Sequence, residues 1–169
     1  MSTARQTAVR LRPLGREHLT RTLEWANDPA LARLLNRSRA IDPQEHDGWF
    51  ASLETRRDTV VFAIELMSDE RHVGNVWLVD IDARHRKAEI RIVIGDPAGL
   101  GVGSAAIDLA VRHAFDVLRL QRVYAYVLEF NPRARRAFEK AGFEVEGVLH
   151  RDRWSRDRFV DVFVLARLA

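Results

Sequence analysis

A glycine-rich segment at Gly99-Leu-Gly-Val-Gly-Ser104 follows a strand-like apolar run, and an apolar helical pattern begins directly after it. Glycines allow a backbone to approach a ligand closely, and the unpaired amides at a helix N-terminus favour a phosphate. The segment therefore predicts a pyrophosphate site. It is not a P-loop, since no Lys-Ser or Lys-Thr follows the last glycine, and its G-x-G-x-G spacing matches a dinucleotide fingerprint poorly.

The elements around this segment alternate between strand and helix patterns. A helical pattern runs over 17–35 with a break near Asn27-Asp28-Pro29, and a second helix begins at Asp42, where Glu45 is expected to reach back as in a capping box. Alternating or continuous apolar runs predict strands over 9–12, 59–67, 73–81, 86–94, 123–129, 144–154 and 159–168. The interpretation is an α/β fold with a mixed, mostly antiparallel sheet.

A second motif lies at 131–143, where Asn131-Pro132 opens a short helical stretch that ends at Gly142-Phe143. Together with the glycine-rich turn, the pattern Asn-x-x-Ala-x-x-x-Phe-Glu-Lys-x-Gly-Phe resembles the GNAT family, the acetyl-CoA-dependent N-acetyltransferases. The resemblance covers nearly the whole chain and is strongest over 88–143. It implies a single GNAT-type domain over 1–169, a central sheet flanked by helices, and direct transfer of acetyl from the CoA thioester to an amine.

The resemblance also implies which residues hold the acetyl-CoA. The main chain of 92–94 is expected to pair with the pantetheine amides, and the backbone of 99–104 to wrap the pyrophosphate. Two arginines, Arg135 and Arg136, are candidates to reach a phosphate. Ala98 and Leu100 depart from the family pattern, but they remove side chains and leave the amides in place. The expected contacts are Ile92, Val93, Ile94, Gly99, Leu100, Gly101, Val102, Gly103, Ser104, Asn131, Arg136 and Phe138.

Phe138 is the departure that bears on catalysis. Many family members carry Tyr at this position, seven residues after the Asn, where its hydroxyl can protonate the departing thiolate. Phe138 can only pack against the pantetheine arm, so water or another group must protonate the thiolate. This departure keeps open an alternative hypothesis, a non-catalytic acyl-CoA-binding or regulatory module.

Glu89 is the expected catalytic base, because glutamates in this region serve as bases in several relatives. Period-two alternation places Glu89, Arg91 and Val93 on one face of the strand and the three isoleucines of 88–94 on the other. The mixed face suits a cleft, where burial would favour proton uptake by a carboxylate. Glu89 could instead face solvent and pair with Arg91 or Arg86. Glu129 is the alternative base.

The amino-acid composition limits which other classes of function the chain could have. The chain has 169 residues, 47% of them hydrophobic, and no cysteine, so it can form neither a disulfide nor an acyl-Cys intermediate. Its net charge of +3 comes almost wholly from dispersed arginines, with Lys87 and Lys140 the only lysines. We therefore expect a cytoplasmic protein with no membrane or nucleic-acid partner, and a homodimer as one possible assembly. The six histidines lack metal-ligand spacing, so no metal site is expected.

The acceptor is less sharply indicated. The first third resembles the branch that acetylates nucleotide-linked amino sugars, whereas the tracts at 84–94 and 146–154 resemble the polyamine and ribosomal-protein N-terminal branches. Residues 33–41 carry Arg33, Arg37 and Arg39 and no acid, which favours an anionic or neutral acceptor over a polycation. The expected acceptor is thus a primary amine of a small molecule, such as a nucleotide-linked amino sugar, or of a protein N-terminus.

Overall fold

The computed structural model describes residues 8–96 and 101–169, and these residues build one seven-stranded sheet. Its strands are β1 Val9–Pro13, β2 Val60–Leu66, β3 His72–Asp82, β4 Lys87–Ile94, β5 Arg122–Leu128, β6 Glu144–Ser155 and β7 Arg158–Leu168. The spatial order is β1-β2-β3-β4-β5-β7-β6, and every neighbouring pair is antiparallel except β4 and β5. The predicted mixed, mostly antiparallel α/β architecture is confirmed.

Five α-helices flank this sheet within the described part of the chain: α1 Leu19–Asn27, α2 Pro29–Leu34, α3 Pro43–Ser52, α4 Val102–Arg112 and α5 Pro132–Lys140. A 3₁₀ turn at Arg16–His18 precedes α1, and a π-helical turn at His113–Val117 extends α4. No helix in residues 8–96 and 101–169 is long and apolar enough to cross a membrane.

The first three helices begin and end where their sequence demands. Asp28 accepts hydrogen bonds from the amides of Ala30 and Leu31, both at 2.9 Å, and so divides α1 from α2 at the predicted break. Asp42 caps α3 in the same way by accepting from the Glu45 amide at 2.9 Å. The predicted capping box is wrong in its second half, because the Glu45 carboxylate is held by Arg39 at 2.7 and 2.8 Å.

The core lies between α4 and one face of the sheet. The apolar stripe of α4, which includes Ile107 and Val111, is fully buried against residues such as Ile64 on β2 and Ile90 on β4. Ala88 and Ile90 of β4 therefore face the core, and Glu89 between them faces the other side of the sheet. The period-two assignment of faces is confirmed for this strand.

The C-terminal strands add a feature that the sequence did not reveal. β6 and β7 are joined by Arg156 and Asp157, both with positive φ (48° and 62°), as in the two-residue turns that suit the twist of a hairpin. The last strand, β7, inserts between β5 and β6, pairing with β5 from Arg122↔Leu168 to Leu128↔Val162. β6 is thereby left at the edge of the sheet and is exposed along most of its length.

Candidate active site

The centre of the sheet opens between its two parallel strands. β4 and β5 pair only at Lys87↔Arg122, Ala88↔Val123 and Glu89↔Tyr124, although both strands continue beyond these pairs. On its other edge β4 stays paired with β3 as far as Ile94↔Gly74. The main chain of β4 beyond Glu89 thus presents one unpaired edge, which can accept an extended ligand in the way that a sheet accepts an added strand.

A cleft of about 780 Å³ lies over this opening. This volume is in the range of small-molecule sites. Several expected cofactor contacts line it, namely Ile92, Val93, Asn131 and Phe138. Glu89 also lines it, together with side chains from β3 and from the helical segment that connects β1 and β2. The candidate base therefore shares one cavity with these four residues, whereas the expected contacts Ile94, 101–104 and Arg136 are not among the described residues that line it.

Glu89 is buried in the wall of this cleft, with only 7% of its surface exposed. Its two carboxylate oxygens receive hydrogen bonds from Nε and Nη2 of Arg91 at 2.7 and 2.9 Å. These bonds raise the pKa of the Arg91 guanidinium. Glu89 is therefore paired with Arg91, as one of the two alternatives predicted, but it lies in the cleft wall and does not face bulk solvent.

A second carboxylate, Asp80, lines the same cleft and was missed by sequence reasoning. The register of β3 against β4 shifts between Val79, which pairs with Glu89, and Asp82. Asp80 sits in this bulge with a positive φ of 51°, so the simple alternation of a strand does not give its direction. The only signal in the sequence is the presence of two aspartates, Asp80 and Asp82, near the end of an otherwise apolar run.

The N-terminus of α4 has the form expected of a phosphate site. Gly101 adopts a left-handed conformation (φ 87°), which a β-branched residue adopts only with strain. The first helical amide bond runs from Ala105 N to Gly101 O at 3.0 Å, so the amides of Val102, Gly103 and Ser104 precede it. Val102 and Ser104 are buried, so a ligand at this terminus would be expected to contact amides rather than these side chains. Gly99 and Leu100 lie outside the described residues.

Helix α5 is fixed beside this terminus. Asn131 accepts from the Ala134 amide at 3.1 Å and caps α5, which is a structural role that it fills without a ligand. An added Cβ on Gly103 would meet Ala137 Cβ at 3.7 Å, an ordinary contact that shows how near the two helices lie. Arg135 is engaged with Glu139 at 2.8 Å, whereas Arg136 is exposed and forms no ion pair with the described residues.

Phe138 forms part of both the core and the cleft wall. It is 3% exposed, and its ring packs edge-on against Phe143 with the centroids 5.1 Å apart. Phe138 lines the cleft and Phe143 does not. One edge of the Phe138 ring therefore borders the space that a cofactor arm would fill. A tyrosine hydroxyl is absent from this position, and among the described lining residues the phenol of Tyr126 is the nearest chemical equivalent.

The alternative base is held elsewhere. The Glu129 carboxylate accepts from Arg158 at 2.6 Å and from the Asp161 amide at 3.1 Å, and it does not line the cleft. It fastens β7 to the end of β5. Of the two carboxylates that the sequence offered, only Glu89 reaches the cavity.

Comparison with known proteins identifies the class. The sequence model described as "Acetyltransferase (GNAT) domain" matches residues 8–144, so the chain belongs to the GNAT acetyltransferase family. The spermidine N(1)-acetyltransferase of Escherichia coli K12 is 33% identical over 152 residues, which are 84% of this chain and 76% of that protein. The solved spermidine N-acetyltransferase of Vibrio cholerae, in complex with CoA and spermine, superposes with a TM-score of 0.88 at 26% identity and covers 95% of both chains.

A more distant relative, the acetyltransferase PseH of Campylobacter jejuni, is 21% identical over 132 residues, which are 78% of this chain and 80% of that protein. Together the matches establish an acetyl-CoA-dependent N-acetyltransferase that acts on an amine. They support the enzymatic hypothesis and not the alternative of a non-catalytic module.

Proposed function

We propose that this enzyme acetylates the primary amine of a small molecule bound in the cleft, with Glu89 as the proton acceptor. The observation that carries the proposal is the position of Glu89, a buried carboxylate at the point where the pairing of β4 and β5 stops. An amine beside Glu89 would lie next to a thioester held in the opening. Holding both reactants at this distance supplies much of the catalytic effect.

The reaction balances without a covalent enzyme intermediate. The ammonium gives one proton to Glu89, directly or through water, and its nitrogen forms a bond to the thioester carbonyl carbon. The nitrogen of the resulting tetrahedral adduct loses its second proton as the C–S bond breaks, and the thiolate takes up one proton. The products are therefore a neutral acetamide, CoA and a protonated Glu89, which returns its proton to solvent. Phe138 cannot supply the proton that the thiolate takes up, and water or another group in the cleft must do so. General-base catalysis of this kind contributes typically about 10²–10⁴-fold in rate.

The cofactor would lie along backbone rather than among charged side chains. We assign the pantetheine arm to the unpaired edge of Ile92–Ile94 and the pyrophosphate to the amides at 101–104. Asn131 and Phe138 would border the arm, and Arg136 on α5 is an exposed cation that could meet a phosphate. These assignments are consistent with the left-handed Gly101 and with the amides that precede the first bond of α4.

A polyamine is the second candidate acceptor. It is favoured by the similarity to spermidine acetyltransferases and by three carboxylates that line the cleft, Glu45, Asp80 and Glu89. Of these, Glu45 and Glu89 are already neutralised by arginines, which leaves Asp80 as the carboxylate with no ion pair among the described residues. Four arginines line the same cavity. The similarity to spermidine acetyltransferases thus favours a polyamine, whereas the charges that line the cleft favour it less.

Self-association is a further part of the proposal. A Vibrio cholerae relative has been solved as a dodecamer. In this chain the tip of the β6–β7 hairpin carries Trp154 and Phe159, each 57% exposed and stacked edge-on with centroids 4.8 Å apart. We propose that this apolar tip lies in a homodimer contact. Light scattering on the wild type and on a Trp154→Ser, Phe159→Ser variant would test it, and a dimeric double variant would contradict it.

The test of the main proposal is release of free CoA thiol from acetyl-CoA in the presence of a panel of amines. Wild-type protein should release CoA with at least one primary amine, and Glu89→Gln should release it far more slowly while binding CoA with unchanged affinity in calorimetry. Wild-type protein that binds CoA and acetylates no amine would contradict the proposed acceptor class. Equal rates in the two proteins would contradict the role of Glu89.

A further inference from the structure

The loop between α2 and α3 brings an arginine, Arg37, to the cleft without an ion-pair partner among the described residues. Four arginines line the cavity, and three of them are paired with carboxylates: Arg56 with Asp58, Arg91 with Glu89 and Arg153 with Asp152. Arg37 forms no ion pair or side-chain hydrogen bond with any described residue. Residues 1–7 and 97–100, outside the described part, contain no Asp or Glu.

The carboxylate that should balance Arg37 is already occupied. Glu45, on α3, lines the same part of the cleft but is held by both terminal nitrogens of another arginine, Arg39, at 2.7 and 2.8 Å. Partial removal from water lowers the pKa of the Arg37 guanidinium, and the charge of Glu45 offsets part of this effect without forming an ion pair with it. The other two arginines of this segment do not share this position, since neither Arg33 nor Arg39 lines the cleft.

A histidine with an unused nitrogen stands near Arg37. His46 on α3 lines the cleft, is 4% exposed, and its Nε2 is buried without a hydrogen-bond partner among the described residues. Burial is the main cause that lowers the pKa of His46, the charge of Asp47 opposes it, and the charge of Arg37 adds to it, so most rings are neutral at pH 7. A neutral imidazole still carries one N–H. Buried polar atoms are normally paired, so we take the imidazole of His46, which lines the cleft, as a candidate contact for a ligand there.

We infer that the acceptor carries an anionic group, a carboxylate or a phosphate, which Arg37 and His46 bind while its amine lies at Glu89. An oxyanion would satisfy a guanidinium and an imidazole N–H at once, through charge-assisted hydrogen bonds. A polyamine would instead place a second ammonium near a guanidinium that has no ion-pair partner among the described residues. The inference rests on the proposed function and narrows its acceptor class, since it separates this chain from the spermidine-acetylating relatives.

Matched acceptor pairs test this inference. Lysine differs from cadaverine by one carboxylate, and glucosamine 6-phosphate differs from glucosamine by one phosphate, so the two pairs distinguish the two anions. Each is assayed for CoA release alongside spermidine, with wild-type protein and with Arg37→Ala, Arg37→Glu and His46→Asn. Arg33→Ala is the matched control, because Arg33 is an exposed arginine nearby that does not line the cleft.

The wild type should prefer the anionic member of at least one pair by about tenfold or more in kcat/KM. Arg37→Ala should remove most of that preference, mainly through KM, and Arg37→Glu should turn it towards cadaverine or spermidine. Arg33→Ala should keep the wild-type ratio. His46→Asn retains an N–H donor at this place and should lose less of the preference than Arg37→Ala.

Two results would overturn the inference alone: wild-type use of cadaverine, glucosamine or spermidine as good as that of the anionic acceptors, or an Arg37→Ala ratio equal to that of Arg33→Ala. Failure of the proposed function has a different signature, in which no acceptor of any charge releases CoA from a protein that binds it. That result overturns the inference as well. Thermal unfolding of each variant should stay close to wild type, since Arg37 is solvent-accessible and holds no structural contact through its side chain.

Discussion

The two halves of the cleft offer a ligand different kinds of groups. The cofactor half, comprising the edge of Ile92–Ile94, the start of α4 and helix α5, offers mainly backbone amides and small or apolar side chains. The acceptor half, comprising Arg37, His46, Asp80 and Glu89, offers charged and titratable side chains. Backbone sites persist when side chains change, whereas a side-chain site changes with each substitution. The family motifs of the sequence lie in the first half, and we propose that the side chains of the second half determine which acceptor this chain takes.

The largest effect is expected where the halves meet. Glu89→Gln keeps the size of the side chain and can still accept from Arg91, but it cannot take up the ammonium proton. We expect kcat to fall about 10²–10⁴-fold if the carboxylate is the general base, with the affinity for CoA unchanged. Steady-state CoA release and calorimetry measure the two quantities.

The matched control for this prediction is Arg91→Gln. It breaks the ion pair at 2.7 and 2.9 Å but leaves the carboxylate in the cleft. We expect its kcat to stay within about tenfold of the wild-type value. A loss as large as that of Glu89→Gln would mean that the ion pair, and not proton uptake by Glu89, is what catalysis needs.

The cofactor half should respond to a change of backbone. Gly101→Val places a β-branched residue at φ 87° beside the free amides of α4, so we expect it to weaken CoA binding by about tenfold or more. Strain alone would also lower stability. Gly142→Val is the control, because Gly142 has a nearly equal φ of 82° but ends α5 beside Arg167. Equal loss of CoA affinity in both variants would contradict a phosphate site at 101–104.

Phe138 tests where the cofactor half meets the core. Phe138→Tyr should leave the free energy of unfolding within about 1 kcal/mol of wild type, because the new hydroxyl can open into the cleft. Turnover should rise if protonation of the thiolate limits the rate, and stay unchanged if another step does. Phe143 is equally buried at 3% but does not line the cleft, so Phe143→Tyr should cost roughly 1–3 kcal/mol. Denaturant unfolding distinguishes them, and an equal cost at both positions would contradict the pantetheine channel beside Phe138.

The smallest expected effect is on stability against pH. Partial or full removal from water lowers the pKa of His46, His72 and His113, so the folded protein favours the neutral form of each. Between their folded pKa values and the ordinary value of about 6.5, the unfolded chain binds more protons than the folded one. The contribution of the neutral histidines to the stability is therefore fully present above about pH 6.5, and it is lost as the pH falls towards their pKa values in the folded protein. We expect the Tm to drop by roughly a few degrees below this pH. His72→Gln should flatten the drop, and a Tm constant from pH 8 to 5.5 would contradict the assignment.

Much of the fold follows from local rules that the sequence displays. The sequence predicts a helix break near Asn27-Asp28-Pro29 and a helix start at Asp42, and in the structure both aspartates accept amide hydrogen bonds at the start of a helix. The alternation along β4 correctly separates Glu89 from Ile90. The insertion of β7 between β5 and β6 does not follow from any such rule, because strand order depends on long-range pairing that no local pattern encodes.

The site divides in the same way. Glu89 could be chosen from the strand pattern and the family motif, and its partner Arg91 is two residues away on the same face. Asp80 could not, because a bulge with positive φ breaks the alternation on which its direction would be predicted. The sequence shows three arginines and no acid in 33–41. Only the fold shows that one of them, Arg39, is paired with Glu45, and that Arg37 alone of the three lines the cleft.

Hydrogen–deuterium exchange of the wild-type protein with and without CoA tests most directly the claim that the cofactor binds along backbone in the opening between β4 and β5. CoA should slow exchange in peptides covering 90–94 and 101–105, where unpaired amides would gain partners, and leave 36–46 in the acceptor half unchanged. Saturating CoA binding with no added protection at 90–94 would contradict the account.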